Sequence, residues 1–167
     1  MSPARDCVAA EAVAIDGIIN RAATAYEGVI PDDCYHQPYM TMEELDREMQ
    51  RMKLVGWEED GRLVGVMGLE PVADVTLIRH AHVLPEYQRR GIGARLLEQL
   101  KAETASRRLL VGTWRDAVWA VDFYRKHGFH EVPNTVRLLE TYWEIPRRQI
   151  ETSVVPTLEI PVAQRDK

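Results

Sequence analysis

Apolar positions along this chain follow two rhythms, and the change from one to the other marks the elements. From Val8 to about Tyr26, the residues Val8, Ala12, Ile15, Ile18, Ile19, Ala22 and Ala23 recur at helical spacing and predict a first helix, weakened by Gly17. Pro31 and Gln37-Pro38 punctuate a loop, after which Thr41-Met-Glu-Glu44 has the form of a capping box and predicts a second helix to about Met52. Lys53 to Glu58 and Arg62 to Leu69 then flank Glu59-Asp60-Gly61, whose Asp-Gly pair is a strong hairpin signal. Asp74 to Val83 carries Val75, Leu77, Ala81 and Val83 on one alternation and Thr76, Ile78, His80 and His82 on the other, which predicts a strand inside the sheet. Helical spacing returns with Ile92, Leu96, Leu97 and Leu100. Leu109 to Trp114 reads as a strand, Ala117 to Lys126 as a helix ended by Gly128, and Phe129 to Val132 as a short strand. A helix over Thr135 to Tyr142 and a strand over Gln149 to Val155 complete the pattern, and Pro156 and Pro161 mark residues 156–167 as a partly loose tail. Leading helices, a meander of strands, a crossover helix and a further strand and helix imply an α+β domain with a mixed sheet, spanning residues 1–155.

Composition narrows the picture. At 167 residues with a net charge of −5, the chain suits one domain with its own core, and no basic run exceeds a pair of arginines, so nucleic acid is not an expected partner. No apolar run reaches membrane-spanning length and the N-terminus lacks the layout of a secretion signal, so no membrane partner and a cytoplasmic location are expected. Cys7 and Cys34 have no zinc-type spacing, and a disulfide is not expected in a reducing compartment. His80-x-His82 offers two ligands on one strand face without a further clustered set, so no metal is assigned.

The candidate chemistry lies where the Val83 strand turns into the Ile92 helix. There the first helical N–H groups lack internal partners and the helix dipole is positive, so backbone alone can bind an anion. Gly91 and Gly93 allow close approach, and Arg89 and Arg90 add charge beside the turn. A phosphate or pyrophosphate is the natural guest. Neither a Walker A ending nor the third glycine of a dinucleotide fingerprint is present.

The combination Gln88-x-x-Gly91-x-Gly93-Ala94 after Val83-Leu84-Pro85 resembles the acyl-CoA-binding motif of the GCN5-related N-acetyltransferases, and Ala120-x-x-Phe123-Tyr124-Arg-Lys-His-Gly128-Phe129 resembles the C-terminal motif of the same family. The resemblance covers roughly Tyr26 to Val132. It implies a mixed, mostly antiparallel sheet flanked by helices, with the usual first strand short or absent, since only Cys7 to Ala10 is free to supply it. It implies acetyl-CoA held by Val83, Leu84, Gln88, Arg89, Arg90, Gly91, Ile92, Gly93 and Ala94, with the N–H near Val83 or Leu84 as oxyanion donor. It also implies N-acetyl transfer to a small-molecule primary amine by direct attack in a ternary complex, with protein amines as the alternative acceptor. Tyr124 would protonate the departing thiolate; Ala117 stands where the family usually has an asparagine.

The general base is not given by the motif, because the family's positions on the central strand fall on Leu77 and Arg79, and neither can take a proton. His80 and His82 have the chemistry but occupy the opposite alternation unless a bulge shifts the register. Glu27, His36 and Glu70 are further candidates, and Arg79 is read either as a substrate-carboxylate contact or as half of a structural ion pair. Tyr26, His36 and Tyr39, in an aromatic loop with Met40, are candidate substrate-binding residues, with packing onto the sheet as the other reading. The segment Trp143 to Val155 reads as an ordinary last strand, with a cap over the site or a homodimer contact as alternatives. The missing acidic base and Ala117 leave a second function class open, a non-catalytic acyl-CoA-binding or sensor domain.

Overall fold

The computed structural model describes residues 4–161. In chain order the elements are β1 (Ala4–Asp6), α1 (Ala12–Ala23), α2 (Met42–Met49), β2 (Lys53–Glu59), β3 (Arg62–Val72), β4 (Val75–Val83), α3 (Ile92–Glu103), β5 (Arg108–Val111), β6 (Thr113–Trp114), α4 (Val118–Lys126), α5 (Thr135–Tyr142), α6 (Arg147–Glu151), β7 (Ser153–Val154) and β8 (Thr157–Glu159). The main sheet has six strands in the order β1-β2-β3-β4-β5-β8. The β1–β2, β2–β3 and β5–β8 pairs are antiparallel and β4–β5 is parallel, so the sheet is mixed and largely antiparallel as expected. Among the described residues, no helix is long and apolar enough to cross a membrane.

The chain divides into two compact units, with β3 and β4 each contributing to both. In the first, α1 turns Ile15, Ile18, Ile19, Ala22 and Ala23 inward, and the Asn20 side chain ties it to the Met40 backbone by two hydrogen bonds of 2.8 and 2.9 Å. Thr41 caps α2 by accepting from the Glu44 N–H at 3.1 Å, although the Glu44 carboxylate accepts from the Thr41 hydroxyl rather than closing a full capping box. The β2–β3 hairpin turns through Asp60 and Gly61, both at positive φ (51° and 74°), the geometry an Asp-Gly turn supplies. Helix α3 buries Ile92, Leu96, Leu97 and Leu100. Gly65 on β3 lets that helix lie close, since a Cβ there would come 3.2 Å from Ile92.

The second unit is built on β5, paired with the first half of β4 (Leu77 opposite Leu110) and with β8 (Leu109 opposite Leu158). Its core joins Val75, Leu77 and Leu110 to Leu138 and Leu139 of α5, Ile150 of α6 and Val155.

Five boundaries differ from the expectation. The first strand exists but lies at Ala4–Asp6, ahead of Cys7 to Ala10, where a single 3-10 turn begins instead. The apolar run Leu109 to Trp114 is split between β5 and β6 at Gly112, against which the Trp143 indole packs so closely that a Cβ would come within 3.2 Å. Phe129 to Val132 reduces to one bridge, His130 to Thr157. The segment from Gln149 is not one strand: α6 runs to Glu151, Ser153 bonds back to the Gln149 carbonyl at 2.6 Å, and only two residues remain for β7. The start of the tail, Thr157–Glu159, is strand β8, whereas its last residues, 162–167, lie outside the described residues.

Candidate active site

The glycine turn has the geometry an anion needs. After β4, Leu84 leads into a 3-10 turn at Pro85–Tyr87, and the backbone then takes left-handed conformations at Arg89 (φ 66°) and Gly91 (φ 80°) before α3 begins. Left-handed residues in a turn of this kind make concavities lined by backbone N–H groups. The first helical bond of α3 runs from the Arg95 N–H to the Gly91 carbonyl, so the N–H groups of Ile92, Gly93 and Ala94 precede the ladder. A Cβ at Gly91 would meet nothing within 4 Å. Open space, a positive dipole and amides ahead of the ladder fit a pyrophosphate.

Side chains around the turn brace it. Gln88 donates to the Val83 carbonyl at 3.0 Å, and Arg21 of α1 grips both carboxylate oxygens of Glu86 at 2.8 and 2.9 Å. Arg90 lies over the Tyr87 ring at 4.9 Å and within 3.9 Å of Glu59. The Leu84 N–H donates to the Val64 carbonyl at 2.9 Å, so of the two amides considered for an oxyanion, Leu84 is already committed.

Strand β4 loses its alternation at His80, which adopts φ 52°. The break changes which residues meet. Arg79 and His80, expected on opposite faces, both reach Glu48 of α2: the Arg79 guanidinium pairs with one carboxylate oxygen and His80 Nε2 lies 2.9 Å from the other. Arg79 also donates to Glu70 Oε1 at 2.8 Å, and Arg51 lies 3.8 Å from Glu70. These side chains are desolvated yet reachable, with His80 12% and Glu48 14% exposed. Burial opposes ionisation of Glu48, but the hydrogen bond from His80 and the charges of His80, Arg79 and Arg51 outweigh it and hold the carboxyl below the usual range. Of the two readings for Arg79, the pairing with partner carboxylates is the one present.

The two histidines differ. Burial, with the charge of His80 second, pushes His82 down to about 3, so it is neutral but a poor proton acceptor. In the second unit Tyr124 is 4% exposed, edge-on to Phe123 and Phe129, and burial pushes its phenol above the ordinary value. Ala117, fully buried, stands at the N-cap of α4 with no side-chain cap. Tyr26 belongs to this unit and stacks on Trp119 at 6.0 Å, whereas His36 and Tyr39 stack on each other at 6.1 Å in the first unit. Neither cysteine forms a disulfide, and burial pushes the Cys7 thiol up to about 12, which keeps it from acting as a nucleophile. No group of metal ligands occurs among the described residues. Glu48 carries no motif that would single it out in the sequence. It follows the fully buried Leu45 at i+3, and a carboxylate on that inward stripe was the available signal.

A mixed sheet whose strand β4 ends in a glycine turn opening a helix is the arrangement expected of an acyl-CoA-dependent transferase, and the sequence agrees. Residues 20–138 match the acetyltransferase (GNAT) domain family, so the chain belongs to that family. No protein of curated function matches it. Among solved structures, the PaiA N-acetyltransferase of Thermoplasma acidophilum in complex with coenzyme A is similar with TM-score 0.71 and 16% identity, over 94% of this chain and 98% of that one. A GNAT acetyltransferase from Elizabethkingia anophelis with acetyl-CoA bound has TM-score 0.56 and 25% identity, over 72% and 84%. The ribosomal-protein-S18-alanine N-acetyltransferase of Escherichia coli has TM-score 0.68 and 18% identity, over 95% and 94%. The chain is an acetyl-CoA-dependent acetyltransferase rather than a non-catalytic binding module.

Proposed function

We propose that the acceptor is a small-molecule primary amine, acetylated by direct attack in a ternary complex, with His80 as the general base. One observation carries this reading: strand β4, which leads into the glycine turn, breaks its alternation at His80 and presents the imidazole to a carboxylate. Acetyl-CoA supplies the activated acetyl group. The amides of Ile92, Gly93 and Ala94 hold its pyrophosphate, with Arg89 and Arg90 adding charge and Gln88 bracing the turn against Val83. The Val83 N–H serves the oxyanion, since Leu84 is bonded within the sheet. His80 takes a proton from the ammonium form of the acceptor, because only a neutral amine is a nucleophile.

Tyr124 acts on the leaving sulfur. A phenol raised above its ordinary ~10 is a weaker acid than a thiol near ~8.5, so net proton transfer to the thiolate is uphill and a hydrogen bond is the larger part of the contribution. His36 and Tyr39 supply aromatic surface for the acceptor.

A thiol-release assay with acetyl-CoA, a panel of small amines and a panel of N-terminal and lysyl peptides tests the reading. The expected result is turnover with small amines that collapses on His80→Ala while acetyl-CoA still binds. Turnover with peptides alone overturns the acceptor class, and full turnover by His80→Ala overturns the base.

A further inference from the structure

We propose that Glu48 is the positioning residue of this site: it holds His80 through Nε2 and leaves Nδ1 as the atom that accepts the proton. The inference rests on the reading of His80 as base and adds to it a partner and an atom. Glu48 stands on α2, one turn after Leu45, and enters no motif of the family. Both of its oxygens are engaged, one by the Arg79 guanidinium and the other by His80 Nε2 at 2.9 Å.

The assignment of the proton follows from what each group can do. Arginine only donates, and a carboxylate paired with it is ionised and only accepts. The hydrogen in the His80–Glu48 contact therefore sits on Nε2. A neutral imidazole carries one N–H, so its lone pair is on Nδ1. When Nδ1 takes a proton, the ring keeps its Nε2–H bond to the carboxylate, so the contact that orients it survives the transfer.

The other charges around the ring leave that pairing intact. Arg79 on β4 divides itself between Glu48 and Glu70 of β3, and Arg51, beyond α2, adds a second cation to Glu70. Two carboxylates and two guanidinium groups thus balance, and His82, on the same strand as His80, stays neutral. A hydrogen bond that merely fastened α2 to β4 would require the same tautomer, so it is the rate and its pH profile that separate a positioning role from a structural one.

Nitrogen-15 NMR of the histidine rings in the full chain tests this without any substrate. The expected spectrum has His80 as the Nε2–H tautomer at neutral pH; a wild-type His80 found as Nδ1–H overturns the proposal outright, whether or not any variant folds. In Glu48→Gln, the amide oxygen turns to Arg79 and its NH₂ to the ring, so the Nδ1–H population should rise to half or more. With the amine identified by the release assay, Glu48→Gln should lower kcat about 10- to 100-fold, alter the acid limb of the pH–rate profile, and leave acetyl-CoA affinity within about twofold. Glu48→Asp should restore part of the rate. Retention of the Nε2–H tautomer and of the acid limb in a folded Glu48→Gln overturns the positioning role alone. An unchanged acid limb in His80→Ala instead defeats the base reading beneath it.

Discussion

Replacing Gly91 by alanine separates the two ways in which the turn could hold a phosphate. Gly91 sits at φ 80°, where an L-residue costs roughly 1–2 kcal/mol, and an added Cβ would touch nothing within 4 Å. Strain is then the whole stability cost, which for a chain of this size lowers the melting temperature by roughly 2–8 °C. The methyl group would stand in the space the phosphate oxygens need. If it displaces one or two charge-assisted hydrogen bonds, each worth about 1.5–3 kcal/mol, acetyl-CoA should bind about 10-fold to well over 100-fold more weakly. Arg90→Ala removes a half-exposed guanidinium already shared between Glu59 and Tyr87, and exposed pairs are worth about 0–1 kcal/mol, so its loss should cost less than about fivefold. Calorimetric titration of acetyl-CoA into each folded variant decides between them. Parental affinity in Gly91→Ala together with a large loss in Arg90→Ala would make the site an arginine patch and refute the backbone cradle.

Three further outcomes follow from other positions. Tyr124→Phe should lower kcat roughly 10- to 100-fold with acetyl-CoA affinity unchanged, the value of one hydrogen bond to a charged sulfur; equal turnover would remove Tyr124 from the reaction. Gly68→Ala would bring a Cβ to 2.8 Å from the Arg79 carbonyl and 3.0 Å from the Met52 sulfur, so it should cost about 1–3 kcal/mol and depress turnover by moving the His80 segment, as thermal melts and the release assay would show. An unaltered melting temperature would mean that β3 and β4 part freely there. His82 stays neutral in the fold down to about 3, whereas an unfolded histidine protonates near 6.5; acid therefore favours the unfolded chain, and unfolding free energy should fall by up to about 1.4 kcal/mol per pH unit as pH drops through that window. Denaturant titrations of His82→Gln across the same window should show a flatter slope, and an identical slope would show that His82 is not buried neutral.

Much of the fold was legible because long elements repeat their signal. The bounds of α5 (Thr135–Tyr142) and the Asp60-Gly61 hairpin were readable from apolar spacing and turn chemistry alone. The failures are short. Helix α6 holds a single turn, too little for periodicity, and only its side-chain bonds from Thr152 and Ser153 back to Arg148 and Gln149 fix where it ends. Strand β8 lies beyond Pro156, which reads as the start of a tail because the sequence does not show that β5 has an edge to be covered.

The candidate site leaves a mark in the sequence where backbone would do the work and none where side chains would, for one physical reason. Cofactor recognition by amides needs small residues at fixed positions in one turn, and Gly91 records that need directly in the sequence. Proton chemistry needs side chains from separate elements to meet, and here the meeting depends on a left-handed residue, His80, that is not a glycine and leaves no local mark. What permits the break lies elsewhere: Gly68 on β3 has no side chain to strike the Arg79 carbonyl, and Glu48 on α2 gives both Arg79 and His80 a common partner. With the alternation kept, Arg79 and His80 would point to opposite faces and no single carboxylate could pair with both. The bond network around Glu48 thus holds the strained residue in place, and the same strain turns the imidazole to the carboxylate.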